Sequence, residues 1–224
     1  MLLALVVLLV VSGLGIGGYM IFLQPKGPGG LAPALSTAQT TLLYQDSLTQ
    51  DTHIWECQGS ATICSFRSDG YHLTQTTSAP SFFESDLTTH RFTDMVIEVS
   101  GLFAAANAQV PALGIVFRQQ ENNRLEEYAF WIDPYGDYAL SKYDAQGQPT
   151  SVIDLVQSSE LNTGLNKMNR LRIIVQGSLF TIFVNGQQLT PPTSDTTYTS
   201  GYIGLAVQGT GTEAVFSNLT VTKA

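Results

Sequence analysis

The sequence predicts an all-β, two-sheet antiparallel sandwich preceded by one N-terminal transmembrane helix. Three observations carry that expectation. An uncharged run of 22 residues, Leu2 to Leu23, stands near the start of the chain. A stretch with three prolines and three glycines follows it. Beyond Leu42, short alternating apolar runs recur between turn residues at intervals of roughly 8–12 positions, the pattern of a sandwich or barrel.

Composition sets the outer bounds. The chain has 224 residues, of which 12% are charged and 44% hydrophobic. The charged fraction is about half the usual ~25%, which excludes a disordered polyelectrolyte. A formal net charge of −8 argues against nucleic acid as a partner, because an acidic surface repels phosphates.

Residues 1–24 form the first element. As a helix the run Leu2–Leu23 spans about 33 Å, against a hydrocarbon thickness of about 30 Å. It exceeds the apolar core of a cleavable signal, and no basic segment precedes it, so the length favours a retained anchor. Gly13, Gly15 and Gly18 match G-x-G-x-x-G, but GYMIFL follows and then Gln24-Pro25, with none of the features of a dinucleotide site. Gly13 and Gly17 have the G-x-x-x-G spacing that lets two membrane helices approach, which points to a homodimer through the anchor.

Residues 25–41 read as a Pro/Gly-rich spacer. Residues 42–224 form the sandwich domain. Its expected strands are Leu42–Asp46, Cys64–Arg67, Tyr71–Thr76, Phe82–Asp86, Asp94–Phe103, Leu113–Gln119 and Glu127–Asp133. They continue with Asp137–Tyr143, Ser151–Val156, Arg170–Gln176, Leu179–Asn185, Tyr202–Gln208 and Ala214–Thr222. Asn185-Gly186 is a hairpin turn that accepts positive φ. Period-two alternation sends Ile115, Phe117, Tyr128, Phe130 and Ile132 to the core, and Arg118, Trp131 and Asp133 to the opposite face.

Cys57 and Cys64 bracket a short loop, and a disulfide there would contribute about 2.5 kcal/mol in the chain-entropy model. Pairing implies an oxidising compartment and places the domain outside the cell, although Lys26 on its own would put that flank inside. The expected location is therefore the cell membrane, single-pass, with the main domain extracytoplasmic.

The domain carries Leu43-Tyr44-Gln45-Asp46, Gly70-Tyr71-His72-Leu73, Gly114-Ile115-Val116-Phe117-Arg118 and Tyr128-Ala129-Phe130-Trp131-Ile132 in that order. Val184-Asn185-Gly186, Gly201-Tyr202-Ile203-Gly204-Leu205 and Ala214-Val215-Phe216-Ser217-Asn218-Leu219 follow. This succession resembles the concanavalin A-like lectin/glucanase superfamily, in particular its laminin-G-like jelly rolls and those of the domain of unknown function 1080, the 3-keto-disaccharide hydrolase-like group. The resemblance implies a jelly roll and a carbohydrate-related role, with activities that differ among members.

Retaining glycanases of this fold carry Glu-x-Asp-x-x-Glu. The nearest match, Glu84-Ser85-Asp86-Leu87-Thr88-Thr89, ends in threonine, which supplies neither acid nor base. Glu84 and Asp86 therefore read as solvated strand carboxylates. His53, His72 and His90 lack metal-ligand spacing and read as surface or turn residues. No catalytic or metal-ligating set is expected. Calcium occurs in some relatives, but the corresponding C-terminal position here is Ser217-Asn218 rather than aspartate, so no cofactor is expected.

The binding candidates are Arg118, Trp131 and Tyr143, with Glu98 and Asp133 on the same parity. Aromatic faces and planar hydrogen-bonding groups are what sugars require. The competing reading is structural, with Arg118 paired to Glu98 or Asp133 and Trp131 packed beneath a loop. The sequence thus points to a membrane-anchored, non-catalytic module for carbohydrate or another cell-surface ligand. The alternatives are a 3-keto-disaccharide-type hydrolase and a structural or assembly domain.

Overall fold

The computed structural model describes residues 40–57, 62–78 and 82–224, and the expected membrane anchor lies outside the described residues. Among the described residues no helix is long and apolar enough to cross a membrane. Their regular structure is all strand. In chain order these are β1 (Leu42–Asp46), β2 (Trp55–Cys57), β3 (Thr62–Arg67), β4 (Gly70–Gln75) and β5 (Phe82–Phe92). Next come β6 (Met95–Ala106), β7 (Ala112–Gln119), β8 (Glu127–Ile132), β9 (Asp137–Tyr143) and β10 (Pro149–Gln157). The last six are β11 (Asn169–Gln176), β12 (Leu179–Val184), β13 (Gln187–Gln188), β14 (Thr193–Ser194), β15 (Gly201–Gln208) and β16 (Thr212–Thr222).

Two antiparallel sheets result. One runs β13-β12-β11-β6-β16-β4-β3, with β1 also paired to β16 and β14 to β12. The other runs β10-β9-β8-β7-β15-β5-β2. Non-consecutive strands lie side by side in both, as in a jelly roll. Sequence-distant β6 and β16 share a register that starts at Ala106↔Thr212 and ends at Val96↔Thr222.

The alternation expected from the sequence holds through most of the core. Ile97, Val99, Leu171, Ile173, Val175, Phe180, Ile182 and Val184 of the first sheet face Leu113, Ile115, Phe117, Tyr128, Phe130 and Ile132 of the second. Phe180 meets Phe117 and Tyr128 edge-on, with centroids 5.4 and 4.9 Å away, so one ring ties the two sheets together. Asn185 and Gly186 take φ of 53° and 86° between the paired Val184 and Gln187, the two-residue hairpin that Asn-Gly favours.

Cys57 and Cys64 form the expected disulfide, linking β2 of one sheet to β3 of the other. The three-residue β2 was not expected as a strand, because three residues give no visible period. β5 extends to Phe92, six residues past its expected end at Asp86. Its second half, Leu87–Phe92, contains two threonines and a histidine and shows little apolar alternation.

Candidate functional site

The candidate site lies on the outer face of the seven-stranded sheet, away from the core. Two cross-strand rows define it: Glu84–Ala206–Gly114–Trp131–Ala139 and Asp86–Gly204–Val116–Ala129–Ser141. Small residues occupy the centre of both rows. A methyl group at Gly114 would stand 2.5 Å from Phe130 O and 2.6 Å from Trp131 Cε3, so the indole lies directly over that glycine. A methyl group at Gly204 would stand 2.6 Å from Asp86 Oδ1. Absent side chains on β7 and β15 thus leave room for large ones from β5 and β8.

A bulge in β7 selects which side chain enters from that strand. Tyr202 pairs with Gln119 and Ile203 with Phe117, leaving Arg118 as the extra residue. Arg118 takes φ of 53°, in the left-handed region. The extra residue reverses the alternation, so Gln119 reaches the outer face and Arg118 leaves it. Arg118 is 1% exposed, donates to Tyr198 O at 2.8 Å and Gly177 O at 2.6 Å, and stacks over Phe180. The expectation that Arg118 stands beside Trp131 is thereby corrected: its guanidinium joins the 177–178 turn to the chain before β15.

Gln119 is fully buried, and its amide nitrogen donates into a carboxylate cluster. Glu84 Oε1 lies 2.7 Å away, Glu127 Oε2 3.0 Å and Asp86 Oδ1 3.4 Å. Arg124, in the β7–β8 connection, reaches Asp86 at 3.5 Å and Glu56 at 2.8 Å. Two buried acceptors in this cluster, Glu84 Oε2 and Gln119 Oε1, receive no protein hydrogen bond.

Burial raises the Glu84 carboxyl well above the ordinary carboxylate range, and the charges of Glu127 and Asp86 push it the same way. Burial also pushes Glu127 up to about 8, against hydrogen bonds from Gln119 and Glu84 and with the charge of Asp86 adding to the rise. Burial and the crowding of one sign of charge both favour the protonated form of these carboxyls. The cluster is centred on a donor nitrogen, an arrangement suited to oxygen acceptors and unsuited to a cation. Among the described residues no group of three His, Cys, Asp or Glu side chains is placed to hold a metal ion.

Tyr143, opposite Glu127 in the ladder, joins this cluster to the aromatic end of the face. Its hydroxyl is pushed up to about 12 by burial, with a hydrogen bond from Trp131 opposing and the charge of Glu127 adding to the rise. Trp131 and Tyr143 pack with Val116, Ala129, Ala112 and Ala206 in a small apolar cluster separate from the main core. Both line a groove of about 320 Å³, together with Pro111, Asp133, Ser141 and Gln208. Trp131 is only 6% exposed, so it forms part of the groove wall and not an open platform.

The other expected positions divide between the two sheets. Asp133 lines the groove, but its Oδ1 accepts from the Tyr135, Gly136 and Asp137 amides at 2.8, 2.9 and 2.9 Å and so also closes the β8–β9 turn. Glu98 lies on β6 of the opposite sheet, held by Arg170 at 2.7 Å and Arg172 at 3.3 Å. It shares neither face nor sheet with Trp131, because strand parity says which side a residue faces within a sheet but not which sheet the strand joins.

Two further expectations are corrected. Glu84 and Asp86 are not freely solvated: Asp86 is fully buried, and Glu84 is half-buried against Gln119 and Glu127. His72 is not at the surface either. It is 4% exposed, between Glu213 at 2.7 Å and Asp69 at 3.0 Å. Gln119 and Glu127 were missed altogether. Glu127 directly follows Glu126 and gave no sign of burial, and Gln119 reaches the site only through the bulge.

No family model and no curated protein matches the chain. Solved structures do. A carbohydrate binding module, CBM66, from Bacillus subtilis aligns with a TM-score of 0.64 at 16% identity, covering 76% of this chain and 96% of that one. A Bacillus subtilis protein of unknown function with a galectin-like fold aligns at 0.63 and 14% identity, covering 82% and 96%. Bacillus licheniformis beta-glucanase aligns at 0.60 and 13% identity, covering 84% and 100%. At such identities the likeness is one of fold, and the fold of this domain is the concanavalin A-like jelly-roll sandwich.

Proposed function

We propose that this chain is a membrane-anchored, extracytoplasmic module that binds carbohydrate, without catalysis, on the outer face of its seven-stranded sheet. The observation that carries the reading is the groove in which Trp131 and Tyr143 stand beside Asp133, Ser141 and Gln208. Sugars bring C–H faces to aromatic walls and hydroxyl donors to carboxylate and amide oxygens, and this surface has both kinds of partner. Structures similar in fold include a carbohydrate binding module and a glucanase, which supports the ligand class. The Cys57–Cys64 bridge supports an oxidising compartment, and residues 2–23 have the length to span a bilayer.

The test is a glycan array probed with the wild-type chain and with Trp131→Ala. Saturable binding that the substitution abolishes supports the reading. Absence of binding to any glycan removes it and favours a structural or assembly role, including pairing through Gly13 and Gly17.

One observation favours a second reading, a glycoside-processing hydrolase of the 3-keto-disaccharide type. Glu84 and Glu127 face each other on the candidate surface with raised proton affinity, as an acid–base pair requires. The two are in hydrogen-bond contact, whereas retaining glycosidases hold their carboxyls about 5–5.5 Å apart and inverting ones farther. That closeness makes binding the stronger reading. Product release from 3-keto-disaccharides, lost in Glu84→Gln, would reverse the order.

A further inference from the structure

Donors are scarce in the carboxylate cluster. Gln119 Nε2 carries two hydrogens and faces three carboxylate oxygens, at 2.7, 3.0 and 3.4 Å. Arg124 reaches only Asp86, at 3.5 Å, and is drawn outward by Glu56 of β2 at 2.8 Å. Beneath the cluster, β15 supplies Gly204 and Ala206 and no charge. From β9, Tyr143 brings a hydroxyl that already lies in the field of Glu127 and Glu84. The charged or titratable groups facing Glu84 and Glu127 are therefore Asp86, Arg124 and Tyr143. One partly exposed guanidinium stands against three carboxyls, two of them buried. Glu84 Oε2 remains without a protein donor, and the Glu84 and Glu127 carboxyls are close neighbours that both accept from the one Gln119 amide nitrogen.

We infer that Glu84 and Glu127 share a single proton that supplies the missing hydrogen bond, and that this proton holds Gln119, Tyr143 and Trp131 in the arrangement of the ligand face. Like carboxyls in contact cannot both ionise in a dry site, and a shared proton turns their repulsion into a hydrogen bond. When the proton leaves, two adjacent carboxylates compete for the one Gln119 amide and must separate. Tyr143 is the cross-strand neighbour of Glu127 and packs on Trp131, so the separation propagates into the groove wall. Ligand capture then falls as pH rises through the ionisation of the pair. This consequence rests on the carbohydrate reading; the shared proton does not.

The experiment needs no ligand. Infrared spectra of the full chain with ¹³C-labelled glutamate, recorded through an alkaline titration, resolve the carbonyl band of a protonated carboxylic acid from the carboxylate bands. Near-ultraviolet circular dichroism follows the aromatic environment in the same samples. The acid band is expected to persist at about pH 7 and to vanish with a midpoint near pH 8, together with a change in the aromatic signal. Glu127→Gln, whose amide donates permanently to Glu84, is expected to lose both transitions while keeping the low-pH aromatic spectrum. Glu84→Gln is the second variant, with the same expectation should the first fail to fold. Absence of the acid band at neutral pH overturns the shared proton. A band lost with no aromatic change overturns its coupling to the ligand face. Either result is distinct from a negative glycan array, which bears only on the ligand class.

Discussion

Glu127→Gln offers a thermodynamic test of the buried carboxyls, with a sign fixed in advance. In the unfolded chain the carboxyl titrates near the ordinary 4.5, and in the folded domain near 8. Between those values the folded state binds the proton and the unfolded state does not. Unfolding then releases a proton, and stability falls as pH rises, by at most about 1.4 kcal/mol per pH unit for one proton. The contribution is fully present below the unfolded value and is lost by the time pH passes the folded one. From about pH 5 to about pH 7 the wild-type chain is expected to lose up to roughly 3 kcal/mol, a sizeable part of the 5–15 kcal/mol typical of a domain.

Asp195 works in a different window. Burial raises its carboxyl, but hydrogen bonds from Thr197, Tyr128 and Lys142 outweigh that and lower it well below the ordinary range. Its stabilisation is present above the ordinary aspartate value and is lost in acid, below the range tested here. Urea unfolding at a series of pH values, followed by fluorescence, measures the slope. Glu127→Gln is expected to flatten it and to exceed wild-type stability near pH 8. A wild-type slope that is zero or positive across this interval, or a variant profile parallel to the wild type, would refute the reasoning.

Three other perturbations have defined outcomes. Arg118→Met removes both donors from Tyr198 O and Gly177 O, and urea unfolding is expected to show a loss of about 2–5 kcal/mol with glycan binding by the folded fraction unchanged. Gly114→Ala forces a methyl group against Phe130 O and the indole, costing about 1–3 kcal/mol by overpacking and shifting the fluorescence emission of Trp131. Reduction of Cys57–Cys64, or Cys64→Ala, is expected to lower unfolding free energy by about 2.5 kcal/mol, since the bridge closes a short loop.

The sandwich was legible because its information is local. Alternation through Ile115, Phe117, Tyr128, Phe130 and Ile132 assigns the core face strand by strand, and Asn185-Gly186 marks its hairpin without reference to anything distant. The site was only half legible. Trp131, Tyr143 and Asp133 follow from parity, and the structure brings them to one groove. Arg118 and Gln119 exchange faces because β7 bulges against Tyr202, and that bulge depends on β15, more than 80 residues away in sequence. Glu98 has the right parity in the wrong sheet, which only topology decides. The carboxylates mislead for a related reason. A lone glutamate on a strand is normally solvated, and Glu84, Asp86 and Glu127 lose water only when β5 and β8 bring them together at the Gln119 amide of β7.

The most direct test compares two substitutions on opposite faces by titration calorimetry, using the oligosaccharide that gives the strongest array signal. Trp131→Ala, in the groove of the seven-stranded sheet, is expected to weaken binding by tenfold or more, about 1.4 kcal/mol at least. Arg172→Ala, on the outer face of the nine-stranded sheet beside Glu98, is expected to leave affinity unchanged. Unaltered affinity in Trp131→Ala together with loss in Arg172→Ala would place the ligand on the other sheet and contradict the assignment.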